Sequence, residues 1–245
     1  MTRSVLFLLA ALLAFGANAE SVTLRAADGT PVYGQVWRAG AAKAAVIVAF
    51  HQADSSSAEY APIAPRLVRA GFTVLAIDQR SGDGAFGGSN RTAAAFKKEQ
   101  PYDAALPDLE AALAWAGSEA KGEPVIVWGS SYSAALVFVL AAKHPHEVNG
   151  VIAFSPGEYL HGKHAVRDAA AQVSVPVWID QASSEEEARN AAEILKAVKS
   201  ADKLQFVARV NSTHGSSTLR EDTNPAGAEA HWQAVLAFLS RLTTR

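Results

Sequence analysis

The sequence predicts an α/β fold: a mostly parallel central sheet with helices on both faces and a β-hairpin at its start. Three observations carry this. Short apolar runs rich in β-branched residues alternate with longer segments whose apolar residues recur at helical spacing. The runs are apolar throughout rather than at every second position, as expected of strands buried on both faces. Alternation of this kind, once the hairpin has been passed, argues for parallel strands joined by covering helices.

The elements follow in order. Val22 to Arg25 and Val32 to Trp37 flank a turn signal at Asp28-Gly29 and read as the hairpin. Ala44 to Phe50 is a central strand ending at His51-Gln52-Ala53. A helix follows, since Tyr60, Ile63, Ala64, Leu67 and Val68 fall on one face with Gly71 as its end. Its start has two readings: Ser56 and Glu59 match a capping box, whereas Pro62 and Pro65 suit a first turn that begins later. Phe72 to Ile77 is a buried strand that delivers a glycine-rich loop from Gly82 to Thr92. Asp103 to Ala116 is a helix with Leu106, Leu109 and Leu113 as its buried stripe. Val125 to Trp128 is a strand and Ala134 to Ala142 a helix, followed by a strand at Val151 to Phe154. Val166 to Ala171 forms a short helix before the strand Val175 to Ile179. Ser184 to Lys199 is a helix, Leu204 to Val210 the last strand, and a closing helix carries Trp232, Val235, Leu236, Leu239 and Leu242. The short segment between Phe154 and Val175 leaves little room for more than a minimal cap.

With 245 residues and no long linker, the chain reads as one α/β domain over residues 20–245. Arg3, the apolar segment Val5 to Phe15 and Ala17-Asn18-Ala19 read as a signal peptide over residues 1–19, cleaved before Glu20, so a periplasmic or secreted location is expected. The net charge is −2 and there is no basic run, so neither nucleic acid nor, after cleavage, a membrane is expected as partner. The absence of cysteine excludes disulfides, thiolate metal sites and a cysteine nucleophile.

The chemistry centres on Gly129-Ser130-Ser131-Tyr132-Ser133, where strand meets helix. Small residues two before and two after Ser131 permit a sharp turn that leaves its hydroxyl exposed above the sheet. Ser130 is the rival centre, but it would put Trp128 where a small side chain is needed. A serine hydroxyl needs a base and a carboxylate to orient that base. The chain supplies Ser131, a carboxylate cluster after the strand ending at Ile179, and His214-Gly215 after the last strand, in that order.

With His51-Gln52 after the third strand, these residues resemble the α/β-hydrolase superfamily, particularly its dienelactone-hydrolase-like serine hydrolases. Ser133 departs from the family's usual glycine. The resemblance implies an α/β-hydrolase fold and cleavage of carboxylic esters, lactones or thioesters through an acyl-enzyme, on a small-molecule ester-type substrate and with no cofactor or metal. It implies Ser131, Glu185 and His214 as the catalytic set, with Asp180 and Glu186 competing with Glu185 for the acid. It also implies an oxyanion hole from the backbone N–H groups of Tyr132 and Gln52, with His51 either at the site or tying down its loop.

Two other readings stand beside it. Gly82-x-Gly84-x-x-Gly87 with Asp103 about 20 residues on matches a dinucleotide fingerprint of an oxidoreductase, although no second strand precedes the acid. A hydrolase fold serving as a non-catalytic binding module is the other. The pairs His161/His164 and His144/His146 read as exposed loop histidines and not as metal ligands.

Overall fold

The computed structural model of the chain describes residues 18–243, so residues 1–17 of the signal-peptide reading lie outside the described part. Among the described residues eight strands form one sheet: β1 (Glu20–Arg25), β2 (Pro31–Trp37), β3 (Val46–Phe50), β4 (Thr73–Ile77), β5 (Val125–Ser130), β6 (Gly150–Phe154), β7 (Val177–Asp180) and β8 (Lys203–Phe206). Their order is β1-β2-β4-β3-β5-β6-β7-β8. The pairs β1–β2 and β2–β4 are antiparallel and all others parallel.

Among the described residues six α-helices cover the sheet: α1 (Ala64–Arg69), α2 (Leu106–Ala120), α3 (Tyr132–Lys143), α4 (Ala165–Ala170), α5 (Glu185–Ala197) and α6 (Ala228–Thr243). The central strands are apolar along their length because both faces are covered. Val46, Val48 and Phe50 of β3 enter the core shared with α2 to α5, whereas Ile47 and Ala49 enter the core shared with α1 and α6. In β5, Val125 and Val127 likewise separate from Ile126 and Trp128. The period-2 geometry of a strand splits one continuous apolar run between two cores.

Three expectations are corrected. The first helix is split into a 3-10 turn at Ser57–Tyr60, which Ser56 caps by accepting from the Ala58 N–H, and α1, which starts at Ala64 with Pro65 in its first turn. The expected helix from Asp103 is a 3-10 turn at Tyr102–Ala105 before α2 takes over at Leu106. The last strand stops at Phe206; it is an edge strand that among the described residues pairs with β7 alone, and Val207 and Val210 beyond it are exposed. The connection from β6 to β7 holds only α4.

The loop after β4 is pinned by Arg80. Its guanidinium is buried between Asp108 on α2 (2.6 Å) and Asp28 in the hairpin turn (2.6 Å). The glycine-rich stretch that follows is shaped by packing. A Cβ on Gly82 would lie 2.4 Å from the Ser55 carbonyl oxygen and 2.5 Å from the His51 ring. Inside this stretch there is a single 3-10 turn at Ala85–Gly87 in place of the α-helix a dinucleotide motif would open, and Asp103 sits in a 3-10 turn instead of at a strand end, so the dinucleotide reading has no structural counterpart.

Candidate active site

The parallel strands deliver their loops to one end of the sheet, and the chemistry-bearing residues collect there. Ser131 stands between β5 and α3 with φ 58° and ψ −120°, a conformation that costs a non-glycine residue about 1–3 kcal/mol. The surroundings impose it: the Ser131 N–H donates to the Phe154 carbonyl at 2.8 Å, and α3 begins at the next residue. A Cβ on Gly129 would come within 2.3 Å of the Ser133 carbonyl oxygen, so only glycine fits two residues before Ser131. Two residues after it, Ser133 stands where glycine is usual, and its hydroxyl has work there. It donates to the His51 carbonyl at 2.6 Å and accepts from Gln79 Nε2 at 2.8 Å, tying the elbow to the loops after β3 and β4.

His214 lies beyond β8. Its Nε2 is 2.7 Å from Ser131 Oγ, and its Nδ1 is 2.9 Å from Glu187 Oε1. Glycine is required at the next position, because φ is +71° and a Cβ would meet Gln52 Oε1 and Ser130 Oγ, each at 2.5 Å.

The carboxylate beside His214 is therefore that of Glu187, not Glu185. Ser184 caps α5 by accepting from the Glu187 N–H at 3.1 Å, and the Glu187 side chain reaches back to accept from the Ala182 N–H at 3.0 Å. A glutamate in the third position of a helix folds back over its N-terminus in this way, whereas one in the first position points outward. Glu185 and Glu186 are both exposed. The spacing Ser184-x-x-Glu187 was the signal in the sequence that could have found the residue. Burial disfavours the Glu187 charge, but hydrogen bonds from His214 and Ser155 outweigh it and hold the carboxyl below the usual glutamate range. The third contender, Asp180, is buried at the end of β7 against His231 of α6, with Oδ2 2.5 Å from Nδ1, and does not serve His214.

Two further assignments change. The Gln52 N–H, expected in the oxyanion hole, donates to Glu59 Oε2 at 2.8 Å. Among the described residues, the N–H groups of Ala53 and of Tyr132 at the start of α3 meet no acceptor of the protein. His51 is fully buried. Its Nε2 accepts from the Gln79 N–H at 3.0 Å and its Nδ1 lies 2.7 Å from the Gln52 carbonyl, so it ties loops together. Burial lowers its pKa to about 4, which keeps the ring neutral. Ser130, the rival nucleophile, is fully buried and donates to Glu59 Oε1 at 2.7 Å.

Beside the elbow, Tyr102 stacks on Tyr132 with ring centroids 4.3 Å apart. Tyr102 also lines a cleft of about 180 Å³ with Tyr159 and His161. His161 pairs with Asp103, and His144 with Glu110 and Glu147. Among the described residues no group of three or more His, Asp or Glu side chains is placed to hold a metal ion.

Residues 41–172, more than half of the chain, match the family profile described as serine aminopeptidase, S33. The chain belongs to this family of α/β-hydrolases. Solved structures agree with the fold. The esterase Pf2001 of Pyrococcus furiosus is 20% identical, with 91% of this chain and 92% of that one covered and a TM-score of 0.68. A dienelactone hydrolase from Anabaena variabilis is 18% identical, covers 91% and 97%, and has a TM-score of 0.70. A dienelactone hydrolase-like promiscuous phosphotriesterase from metagenomic libraries is 19% identical, covers 91% and 98%, and has a TM-score of 0.66. No curated protein matches the sequence. The matched span includes Ser131, while Glu187 and His214 lie beyond residue 172.

Proposed function

We propose that this hydrolase is a serine esterase that cleaves carboxylic esters, lactones or thioesters through an acyl-enzyme at Ser131. The observation that carries the reading is the unbroken line from Ser131 Oγ to His214 Nε2 (2.7 Å) and from His214 Nδ1 to Glu187 (2.9 Å), with Ser131 held in its strained elbow conformation.

In this reading His214 takes the Ser131 proton as Oγ attacks the substrate carbonyl, and Glu187 holds the Nδ1–H tautomer and stabilises the imidazolium. The N–H groups of Tyr132 and Ala53 receive the oxyanion, each donor worth on the order of 10²-fold or more in rate. His214 then passes the proton to the leaving oxygen or sulfur, which departs as the acyl-enzyme forms. Water, deprotonated by His214, releases the acid and restores Ser131. The esterase and dienelactone hydrolase among the similar structures support an ester or lactone bond.

The test is a panel of p-nitrophenyl esters of graded acyl length, a lactone, a thioester and an aminoacyl p-nitroanilide, with wild type and Ser131→Ala. Ester turnover that falls by about 10⁶-fold in Ser131→Ala, together with loss of covalent labelling by a fluorophosphonate, is expected. Labelling that persists in Ser131→Ala, or cleavage of the anilide alone, refutes the assignment.

A further inference from the structure

Glu59 has no part in the steps above, yet it lies directly beneath them. Its side chain is 0% exposed, and each carboxylate oxygen is engaged by a different loop of the site. Oε2 accepts from the Gln52 N–H of the loop after β3 at 2.8 Å. Oε1 accepts from the Ser130 hydroxyl, one residue before the nucleophile, at 2.7 Å. Ser130 Oγ in turn accepts from the N–H of Ser216 at 2.8 Å, two residues beyond His214. The turn that carries Glu59 is clamped from outside by Arg220, whose Nη1 donates to the Glu59 carbonyl at 2.9 Å.

Resting on the serine-esterase reading, we propose that Glu59 is a positioning residue whose buried carboxylate sets the oxyanion loop, the nucleophile elbow and the histidine loop in register with one another. A buried carboxylate is a costly way to fill space, and a well-packed apolar side chain of the same volume would hold the core as well or better. The cost is visible in its pKa, which burial raises to about 7 against the hydrogen bonds from Gln52 and Ser130 and the charges of Arg220 and His214.

What a carboxylate provides here, and an apolar side chain cannot, is two acceptors at a fixed separation. Commitment of the Gln52 N–H to Glu59 fixes the His51–Gln52 peptide, and the Gln52 carbonyl of the next peptide lies 2.7 Å from His51 Nδ1, so the two together set the direction in which the Ala53 N–H is presented. The Ser130 hydroxyl then carries the same constraint through the elbow to the loop of His214. The three loops belong to the ends of β3, β5 and β8, which are not all neighbours in the sheet, so the sheet alone does not align them. Errors of about 1 Å in such an arrangement cost on the order of 10²-fold in rate.

The experiment compares wild type, Glu59→Met, Glu59→Gln and Ser130→Ala in ester turnover, in thermal stability and in the affinity of a phenylboronic acid, whose tetrahedral Ser131 adduct presents an oxygen to the oxyanion donors. Glu59→Met, close to glutamate in volume, is expected to remain folded, to lose about 10²-fold in kcat with KM within about 3-fold, and to bind the boronate about 10²-fold more weakly. Glu59→Gln keeps an oxygen for Gln52 and a polar group for Ser130, and should recover to within about 10-fold of wild type. Ser130→Ala breaks only the elbow half of the link and is expected to lose about 10-fold in both kcat and boronate affinity.

A folded Glu59→Met with wild-type kcat overturns the proposal, as does one whose kcat falls while boronate affinity is unchanged. If Glu59→Met does not fold, Ser130→Ala decides: unchanged turnover and boronate binding there overturn it. Absence of ester turnover and of boronate binding in the wild type would instead refute the esterase reading on which it rests.

Discussion

Replacing Glu187 by Gln conserves volume and removes one charge from the line that ends at Ser131. The cost follows from the geometry. With Nδ1 and Oε1 at 2.9 Å, the carboxylate and the imidazolium that forms during attack lie about 4 Å apart between charge centres. In the partly solvated surroundings of a half-exposed histidine, that attraction is worth about 4 kcal/mol, or about 10³-fold in rate. This is the smaller outcome, in which the new amide turns its oxygen to His214 and preserves the tautomer. The Ala182 N–H competes for that same oxygen, because it donates to Glu187 Oε2 in the native site. When the amide instead presents its NH₂ to Nδ1, the imidazole proton moves to Nε2, faces Ser131 Oγ and cannot be replaced by the serine proton, and the loss approaches about 10⁴-fold. Glu187→Gln is therefore expected to lower kcat on a p-nitrophenyl ester by between about 10³- and 10⁴-fold with circular dichroism unchanged, while Glu185→Gln stays within about 2-fold. Near-wild-type activity of Glu187→Gln with loss in Glu185→Gln would refute the argument from the helix start.

Glu59 and His51 should leave opposite marks on stability. Burial raises Glu59 from 4.5 to about 7, so its contribution is complete below pH 4.5 and lost as pH rises to 7. Burial lowers His51 from 6.5 to about 4, so its contribution is complete above pH 6.5 and lost as pH falls towards 4. A shift of that size corresponds to about 3 kcal/mol, and the two oppose each other across the middle of the range. Urea denaturation should find Glu59→Gln gaining about 3 kcal/mol relative to wild type between pH 4.5 and 7.5; a pH-independent difference would show that Glu59 does not titrate there. We also propose that the protein is exported: mass spectrometry of the mature chain should find Glu20 at its N-terminus, and retention of Met1 on active protein would refute this.

What could be read from residues alone was local or periodic. The elbow is a covalently contiguous pattern, and the clash that a Cβ on Gly129 would suffer comes from Ser133, four residues away along the same turn. The strands of the doubly covered sheet announce themselves by being apolar at every position, and His214-Gly215 by following the last of them. The order of serine, acid and histidine is likewise a property of the chain.

The tertiary structure decided whatever depended on direction or on partners distant in sequence. Three consecutive glutamates differ little as sequence, but each helix residue turns by about 100°, and the cap at Ser184 points only Glu187 back to His214. Gln52 lost its expected role to Glu59, whose own side chain had a ready local reading in the capping box with Ser56. The competing pull was Ser130, 71 residues later, which only the folded sheet brings within 2.7 Å. Asp180, as plausible a candidate by position, was taken by His231 of a helix 51 residues further on. Spacing along a chain states which side chains can reach a strand end; which of them meet there is settled by the packing of the elements that follow.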